Sequence, residues 1–235
     1  MKNFGLQLHT LRKTITHENF AEILSQLRLF GYTGIELTDD YYGYTTDEMA
    51  KIISDSGLRV LGVHSSKMDM EYALKMGSEF IIYPYSEIKT DDDAVKLGQE
   101  LCELSEKAVM SGLRLCFHNH NAEFQKGESG DYLFNLVMQN AGDLCEWEPD
   151  IGWLKFAGCD PFEFLRNYSG RFPLMHIRQL NEKNEFCLLK NGVIPIDDAI
   201  KIGNLLGCEH YIVEQPSETA TLDDVEKCAR YLKSL

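Results

Sequence analysis

The sequence has no block of Lys and Arg, no long apolar run and no closely spaced cysteine pair, and each lack removes a class of protein. Net charge is −14, from 37 acidic and 23 basic residues. Nucleic-acid binding depends on a basic stripe that neutralises phosphates, so no nucleic-acid partner is expected. No apolar run reaches the roughly 18 residues of a membrane span, so no membrane partner is expected either. The opening Met1-Lys2-Asn3-Phe4 lacks the charged start and apolar stretch of a secretory signal, and the expected location is cytoplasmic. The seven cysteines (102, 116, 145, 159, 187, 208 and 228) are odd in number and show no C-x-x-C spacing. That argues against a disulfide framework or a zinc knuckle. Cys116 and Cys145 lie in apolar runs and read as small buried hydrophobes. Linkers and low-complexity tracts are also missing, so residues 1–235 read as a single domain. The sequence leaves self-association open.

What is present is a regular strand-then-helix beat. Phe4 to Leu8 reads as a strand, followed by a helix over His17 to Phe30 with Phe20, Ile23, Leu24 and Leu27 on one face. Gly34 to Leu37 is the second strand. Thr45 and Glu48 form a capping box that opens a helix ending at Gly57. Arg59 to Val63 is the third strand and Asp69 to Met76 its helix. Phe80 to Tyr83 is the fourth, with the clearest helix, Asp92 to Met110, behind it. Leu113 to Phe117 precedes a helix over Tyr132 to Gln139. Leu144 to Glu148 precedes one over Pro161 to Tyr168, and Pro173 to Ile177 one over Ile196 to Leu206. Tyr211 to Val213 is the eighth strand, and Thr221 to Leu235 closes the chain with Thr221 and Asp224 placed for capping. Eight successive units of this kind predict parallel strands and a closed (β/α)8 TIM barrel of the α/β class. A doubly wound open sheet would carry a Gly-rich turn after the first strand, and Leu8-His9-Thr10-Leu11-Arg12 is not one. The longest loop-like stretch, Gln179 to Pro195, is polar and has the length of a lid.

In such a barrel the chemistry sits at the C-terminal ends of the strands. The polar residues there are Gln7 and His9, Glu36, His64, Tyr83 with Pro84, His118 with Asn119 and His120, Glu148 and Asp150, His176, and Glu214. Five of the seven histidines fall in this set. Charged residues are rarely buried unless paired or metal-bound, so His and carboxylates converging from several strands fit a divalent cation. Asp150, His176 and Glu214 end consecutive strands and carry the strongest case. Bland readings stand beside the others: His64 as a hydrogen-bonded pocket residue, Glu36 as the partner of an arginine, Glu148 as a residue facing the helix layer. His118 and His120 share one parity, the first expected at the axis and the second beside substrate.

Four segments carry a resemblance. Phe117-His118-Asn119-His120-Asn121-Ala122-Glu123-Phe124, Glu148-Pro149-Asp150-Ile151-Gly152-Trp153, Met175-His176-Ile177-Arg178 and Ile212-Val213-Glu214-Gln215 resemble the sugar phosphate isomerase/epimerase family. This is part of the xylose-isomerase-like barrel superfamily, with inosose dehydratases, ketose 3-epimerases and abasic-site endonucleases. Gly5-Leu6-Gln7-Leu8 and Gly31-Tyr32-Thr33-Gly34-Ile35-Glu36-Leu37 are similar too, and the likeness spans the chain. It implies one metal ligand from each of the last four strands, commonly Glu, Asp, His and Glu. Here these fall on His118, Asp150, His176 and Glu214. His118 departs from the usual Glu, and Glu123 or Glu148 are the candidates to restore that carboxylate. With two carboxylates rather than three, the site should be the stronger Lewis acid.

The implied reaction starts from a sugar with a ketone beside a hydroxyl, chelated by Mn, Co, Mg or Zn, which loses its α-proton to give an enediolate. Isomerase, epimerase and lyase or dehydratase outcomes share that step. Glu214 is expected as ligand and base, with Glu123, Glu148 or His120 as the second acid/base. Glu36, His64, Trp153, Lys155, Arg178 and His9 are expected around the substrate. Trp153 would stack on a sugar face or pack the barrel rim, and Lys155 and Arg178 read equally as surface charge. Two rival classes remain: metal-dependent phosphodiester hydrolysis, which the acidic charge disfavours, and a non-catalytic sugar-binding barrel, which the His118 departure favours.

Overall fold

The computed structural model describes residues 4–235. Met1, Lys2 and Asn3, on which the signal-peptide reading partly rests, lie outside the described residues. In chain order the elements are β1 (Phe4–Gln7), α1 (Phe20–Phe30), β2 (Gly34–Leu37), α2 (Thr46–Ser56), β3 (Arg59–His64), α3 (Met70–Lys75), β4 (Phe80–Tyr83), α4 (Asp91–Ser111), β5 (Arg114–His118) and α5 (Leu133–Asn140). They continue with β6 (Cys145–Glu148), α6 (Ile151–Phe156), α7 (Pro161–Asn167), β7 (Leu174–Ile177), β8 (Gln179–Leu180), β9 (Phe186–Cys187), α8 (Ile196–Leu206), β10 (His210–Val213) and α9 (Leu222–Ser234). Eight strands pair in the order β6-β5-β4-β3-β2-β1-β10-β7, every pair parallel. This is the expected barrel.

Its seam lies between β6 and β7. No ladder runs there, because Pro149 ends β6 and has no N–H to give. The seam is closed instead by His176 N donating to the Pro149 carbonyl at 2.8 Å and Trp147 N to the Arg171 carbonyl at 2.7 Å. An isolated bridge joins Asp150 to His176.

The lower barrel is filled by Leu61, Phe80, Ile82, Cys116, Leu174 and Ile212, all buried. A register shift sets what lies above them. Ile35 pairs with Val60 and Glu36 with Gly62, so Leu61 is the extra residue of a bulge. Leu61 points inward, and so do Gly62 and His64 beyond it. A Cβ on Gly62 would sit 2.5 Å from Ile82 Cδ1 and 2.9 Å from Glu36 Oε2, so only glycine fits. The bulge is what aims His64 at the axis.

The expected helix boundaries hold closely, with local exceptions. Capping boxes form at Thr45/Glu48 and Thr221/Asp224. Gly31, Gly57, Gly112 and Gly207 end their helices in left-handed backbone. The first helix starts at Phe20 rather than His17. Asn19 accepts from Thr16 N at 2.7 Å and donates to the Thr14 carbonyl at 2.9 Å, which ties that segment as a turn. The short helix α6 is an addition to the strand-then-helix order expected from the sequence. The Gln179–Pro195 stretch is no structureless loop: β8 and β9 form an antiparallel hairpin. Buried Gln179 pins it, donating to the Ile194 carbonyl at 2.8 Å and accepting from Ile194 N at 2.8 Å. Among the described residues no helix is long and apolar enough to cross a membrane.

The helix layer is tightest where α4 meets α5. Gly98, buried on α4, leaves room only for hydrogen: a Cβ there would lie 2.5 Å from Asn140 Cβ and 2.6 Å from the Val137 carbonyl oxygen. Alanine would gain about 1 kcal/mol of helix propensity. Overpacking against a backbone carbonyl costs about 1–3 kcal/mol, so the clash should win. Gly98→Ala is therefore expected to lower the unfolding free energy in urea, and a stabilised variant would contradict the close approach.

Candidate metal and substrate site

Above the apolar plug, inward side chains from seven strands form a polar layer. Gln7, Glu36, His118, Glu148, Asp150, His176 and Glu214 are all buried, and His64 nearly so. The members are paired. Gln7 Nε2 donates to Glu36 Oε1 at 2.7 Å. His176 donates from Nε2 to Glu36 Oε1 at 2.7 Å and from Nδ1 to Glu214 Oε2 at 3.0 Å. His64 Nε2 lies 2.8 Å from Glu148 Oε2 and 3.0 Å from Glu36 Oε1. His118 Nδ1 donates to the same Glu148 oxygen at 3.0 Å. Glu148 thus faces the barrel axis, not the helix layer.

This pairing sets the charge states. Burial alone would push His64 down, but Glu36 and Glu148 outweigh it and raise the ring to about 10. His176 is likewise lifted well above the usual imidazole range, burial being overcome by Glu148 and Glu36. His118 goes the other way: burial, then the neighbouring His176 and His64, hold it well below that range and keep it neutral. Burial would raise Glu148, but His176 and His64 hold it down. Burial would raise Glu214 too, but Arg178 and His176 hold it well below the carboxylate range. Burial raises Asp150 to about 6, aided by Glu214 and only partly opposed by Arg178.

Two donor sets could hold a cation, each with ligand atoms within 4.8 Å of one another: His118, Asp150, His176 and Glu214, or the deeper His64, His118, Glu148 and His176. The first is the set the resemblance implied. Two imidazoles and two carboxylates balance a divalent charge and suit Zn, Co or Mn better than Mg. Asp150 Oδ2, buried and without a hydrogen bond, is an orphan that a cation would satisfy. Neutral His118 is ready to ligate. His176 must give up a proton first, so uptake of a metal releases one.

The surroundings fix these ligands. Asn119 Oδ1 accepts from Trp147 Nε1 at 2.8 Å and from Asp150 N at 3.1 Å. Asp150 also caps α6, its Oδ1 accepting from Trp153 N at 2.9 Å. That cap before an apolar residue is the sequence signal for α6. Arg178 is buried rather than surface charge. Its Nη1 lies 3.2 Å from Glu214 Oε2 and 3.5 Å from Asp150 Oδ2. Its guanidinium packs 4.2 Å from the Phe186 ring and 5.2 Å from Trp153, so β9 and α6 hold it.

A cleft of about 630 Å³ opens onto this layer, lined among others by Gln7, His9, His64, His118, His120 and Glu214. Thr38, Asp39, Asp40, Ser66 and Tyr85 also line it, and none was singled out in the sequence. They stand beyond the strand ends, where alternation no longer says which way a side chain points. Several expected substrate contacts lie elsewhere. Lys155 is exposed on α6, away from the cleft lining. Trp153 meets His120 at 5.3 Å and Phe186 at 4.7 Å between ring centres, packing the rim. Glu123 does not reach the ligand set. Its carboxylate is held by Ser86 Oγ at 2.8 Å and His120 N at 3.0 Å. Burial raises it. Burial also lowers His120 to about 4, leaving a neutral ring beside the cleft.

No family model matches the sequence, and no characterised protein matches it in sequence. Solved structures do. A sugar phosphate isomerase/epimerase from Parabacteroides distasonis superposes with a TM-score of 0.87 at 24% identity, over 99% of this chain and 94% of that one. The probable 3-DHS dehydratase AsbF from Bacillus anthracis gives 0.79 at 12% identity, over 99% of each chain. The IolI protein, in a structure with a bound zinc atom, gives 0.77 at 14% identity, over 99% of this chain and 96% of that one. The chain therefore has the xylose-isomerase-like barrel fold, as its motifs implied.

The paired histidines make metal-free stability depend on pH. His64 has a folded value of about 10 against 6.5 for the free ring. Its stabilisation is fully present below 6.5 and is lost as pH rises through 10. Chelator-treated protein should thus unfold at progressively lower urea concentration across that window, and less steeply in His64→Gln. Identical slopes would contradict the pairing.

Proposed function

We propose that this chain is a divalent-metal-dependent isomerase or epimerase of a small keto-sugar. The observation that carries the reading is a buried His118–Asp150–His176–Glu214 donor set at the floor of a cleft that Glu214 and His120 also line. A cation held there would supply positive charge to a ketone and its neighbouring hydroxyl, easing loss of the α-proton. The residues of the chain do the rest. Glu214, the one carboxylate of the ligand set that borders the cleft, is placed to take the proton. His120 is neutral at pH 7 and stands beside the same space, fit to exchange a proton at a ring nitrogen. Glu123 acts through His120 by fixing its backbone N–H, and Glu148 acts through His64 and His118 by fixing their rings. Both are positioning groups in this reading. Arg178 neutralises the Asp150–Glu214 pair and keeps it compact. The fold shared with a sugar phosphate isomerase/epimerase and with a zinc-bearing relative supports the reading.

A lyase or dehydratase would use the same proton abstraction and then expel a β-hydroxyl; the fold shared with AsbF supports this second outcome. Product analysis separates the two.

Chelation is expected to abolish turnover, and Mn, Co, Mg or Zn to restore it; full activity without metal would sink the proposal. Substrate recovered from D2O should carry deuterium at the α-carbon. His176→Ala and Glu214→Gln should each lower kcat by about two orders of magnitude or more. Ligand binding retained with no turnover in the wild type would point to a non-catalytic barrel instead.

A further inference from the structure

The outer half of the cleft is chemically unlike its floor. Two carboxylates, Asp39 and Asp40, stand on its rim on the loop after β2. Each has one oxygen fixed by nearby groups. Asp39 Oδ2 accepts from Ser66 N at 2.7 Å and from Ser66 Oγ at 2.6 Å, tying the loop after β2 to the loop after β3. Asp40 Oδ1 accepts from Tyr42 N at 2.8 Å. Among the described residues, the second oxygen of each carboxylate has no hydrogen bond. These are oriented acceptors, not free surface acids. Pro84 and Tyr85, after β4, line the cleft as well, the latter edge-on to His120 at 5.3 Å between ring centres.

Three nearby cations are committed elsewhere, and Lys67, beside Ser66, is exposed and not part of the cleft lining. Arg178 is buried against Asp150 and Glu214, between Phe186 and Trp153. Arg12 and Lys13, on the turn that follows His9, both ion-pair with Glu218. Among the described residues, the lining of the cleft contains three carboxylates, Asp39, Asp40 and Glu214, and no Lys or Arg. A phosphate dianion beside Asp39 and Asp40 would meet fixed negative charge, while among the histidines of the lining His64 is held by Glu36 and Glu148 and His118 by Glu148. A hydroxyl has a proton to give to each open carboxylate oxygen, and a sugar's C–H face can lie on an aromatic wall.

We infer that the substrate is an uncharged polyhydroxylated carbonyl compound whose far hydroxyls are held by Asp39 and Asp40, and that phosphate esters are rejected at this rim. The inference rests on the keto-sugar reading above and narrows its substrate class. Asp39 and Asp40 are its specificity residues.

The test compares each of several neutral ketoses with its own terminal phosphate ester, and each of several inososes with a ring monophosphate, on the metal-loaded protein. Deuterium uptake at the α-carbon gives kcat/KM. Protection against thermal unfolding gives binding without requiring turnover. The neutral compound is expected to exceed its ester by about tenfold or more in either readout. Asp40→Lys, at an exposed position, should shrink or invert that ratio, and Asp39→Asn should raise KM for the neutral compound with little change in kcat. A phosphate ester that is bound or turned over better, or a ratio that Asp40→Lys leaves unchanged, overturns the inference. If binding follows this pattern while no sugar exchanges deuterium, the isomerase reading fails and the substrate class stands.

Discussion

His176 uses its backbone and both ring nitrogens at once. Its N–H reaches the Pro149 carbonyl and closes the seam that β6 and β7 leave without a ladder. Its ring joins Glu36 on one side to Glu214 on the other. The same side chain belongs to both possible donor sets. Burying this many ionisable groups in a barrel would be costly if any were left alone. The histidine spans the layer and gives Glu36 and Glu214 a shared partner, while His64 and His118 hold Glu148 and Arg178 faces Asp150. Removing its ring would keep the backbone bond of the seam but take from Glu36 and Glu214 the imidazole they share, leaving Gln7 and His64 on the first and Arg178 on the second.

The lower barrel is what makes that layer a floor. Leu61 fills the space that Gly5 and Gly34 leave open, where a Cβ would approach its side chain to 2.5 Å. The same bulge that turns Leu61 inward turns His64 inward as well. Packing below and chemistry above are therefore one device: an apolar plug that excludes water, and a polar layer whose pairs are strengthened because water is excluded. The asymmetry between His118, kept neutral, and His64 and His176, kept charged, follows from which of them faces two carboxylates.

Much of this was legible in the sequence, and the reason is alternation. Along β5, β7 and β10, apolar and polar residues share one parity, so Cys116 predicts an inward His118, Leu174 an inward His176 and Ile212 an inward Glu214. Glycines and capping threonines mark helix ends by their backbone preferences, which need no tertiary context. The rest fails where alternation stops. The bulge in β3 hid the aim of His64. Asp150 reads as a ligand in the sequence, but its second task as the cap of α6 does not show there as a pattern, because a six-residue helix has too few turns to show a period. Arg178 reads as surface charge in a linear sequence. Only the aromatic pair Trp153 and Phe186, brought together by α6 and the hairpin, shows that it is buried. Asp39 and Asp40 lie on an irregular loop whose direction is set by the tie to Ser66.

We assign the cation of the proposed reaction to His118, Asp150, His176 and Glu214 rather than to the deeper His64, His118, Glu148 and His176. A crystal soaked with Mn and measured at its absorption edge decides this directly. The expected result is one anomalous peak within bonding distance of Asp150 and Glu214. A peak between His64 and Glu148, or none at all, would contradict the account.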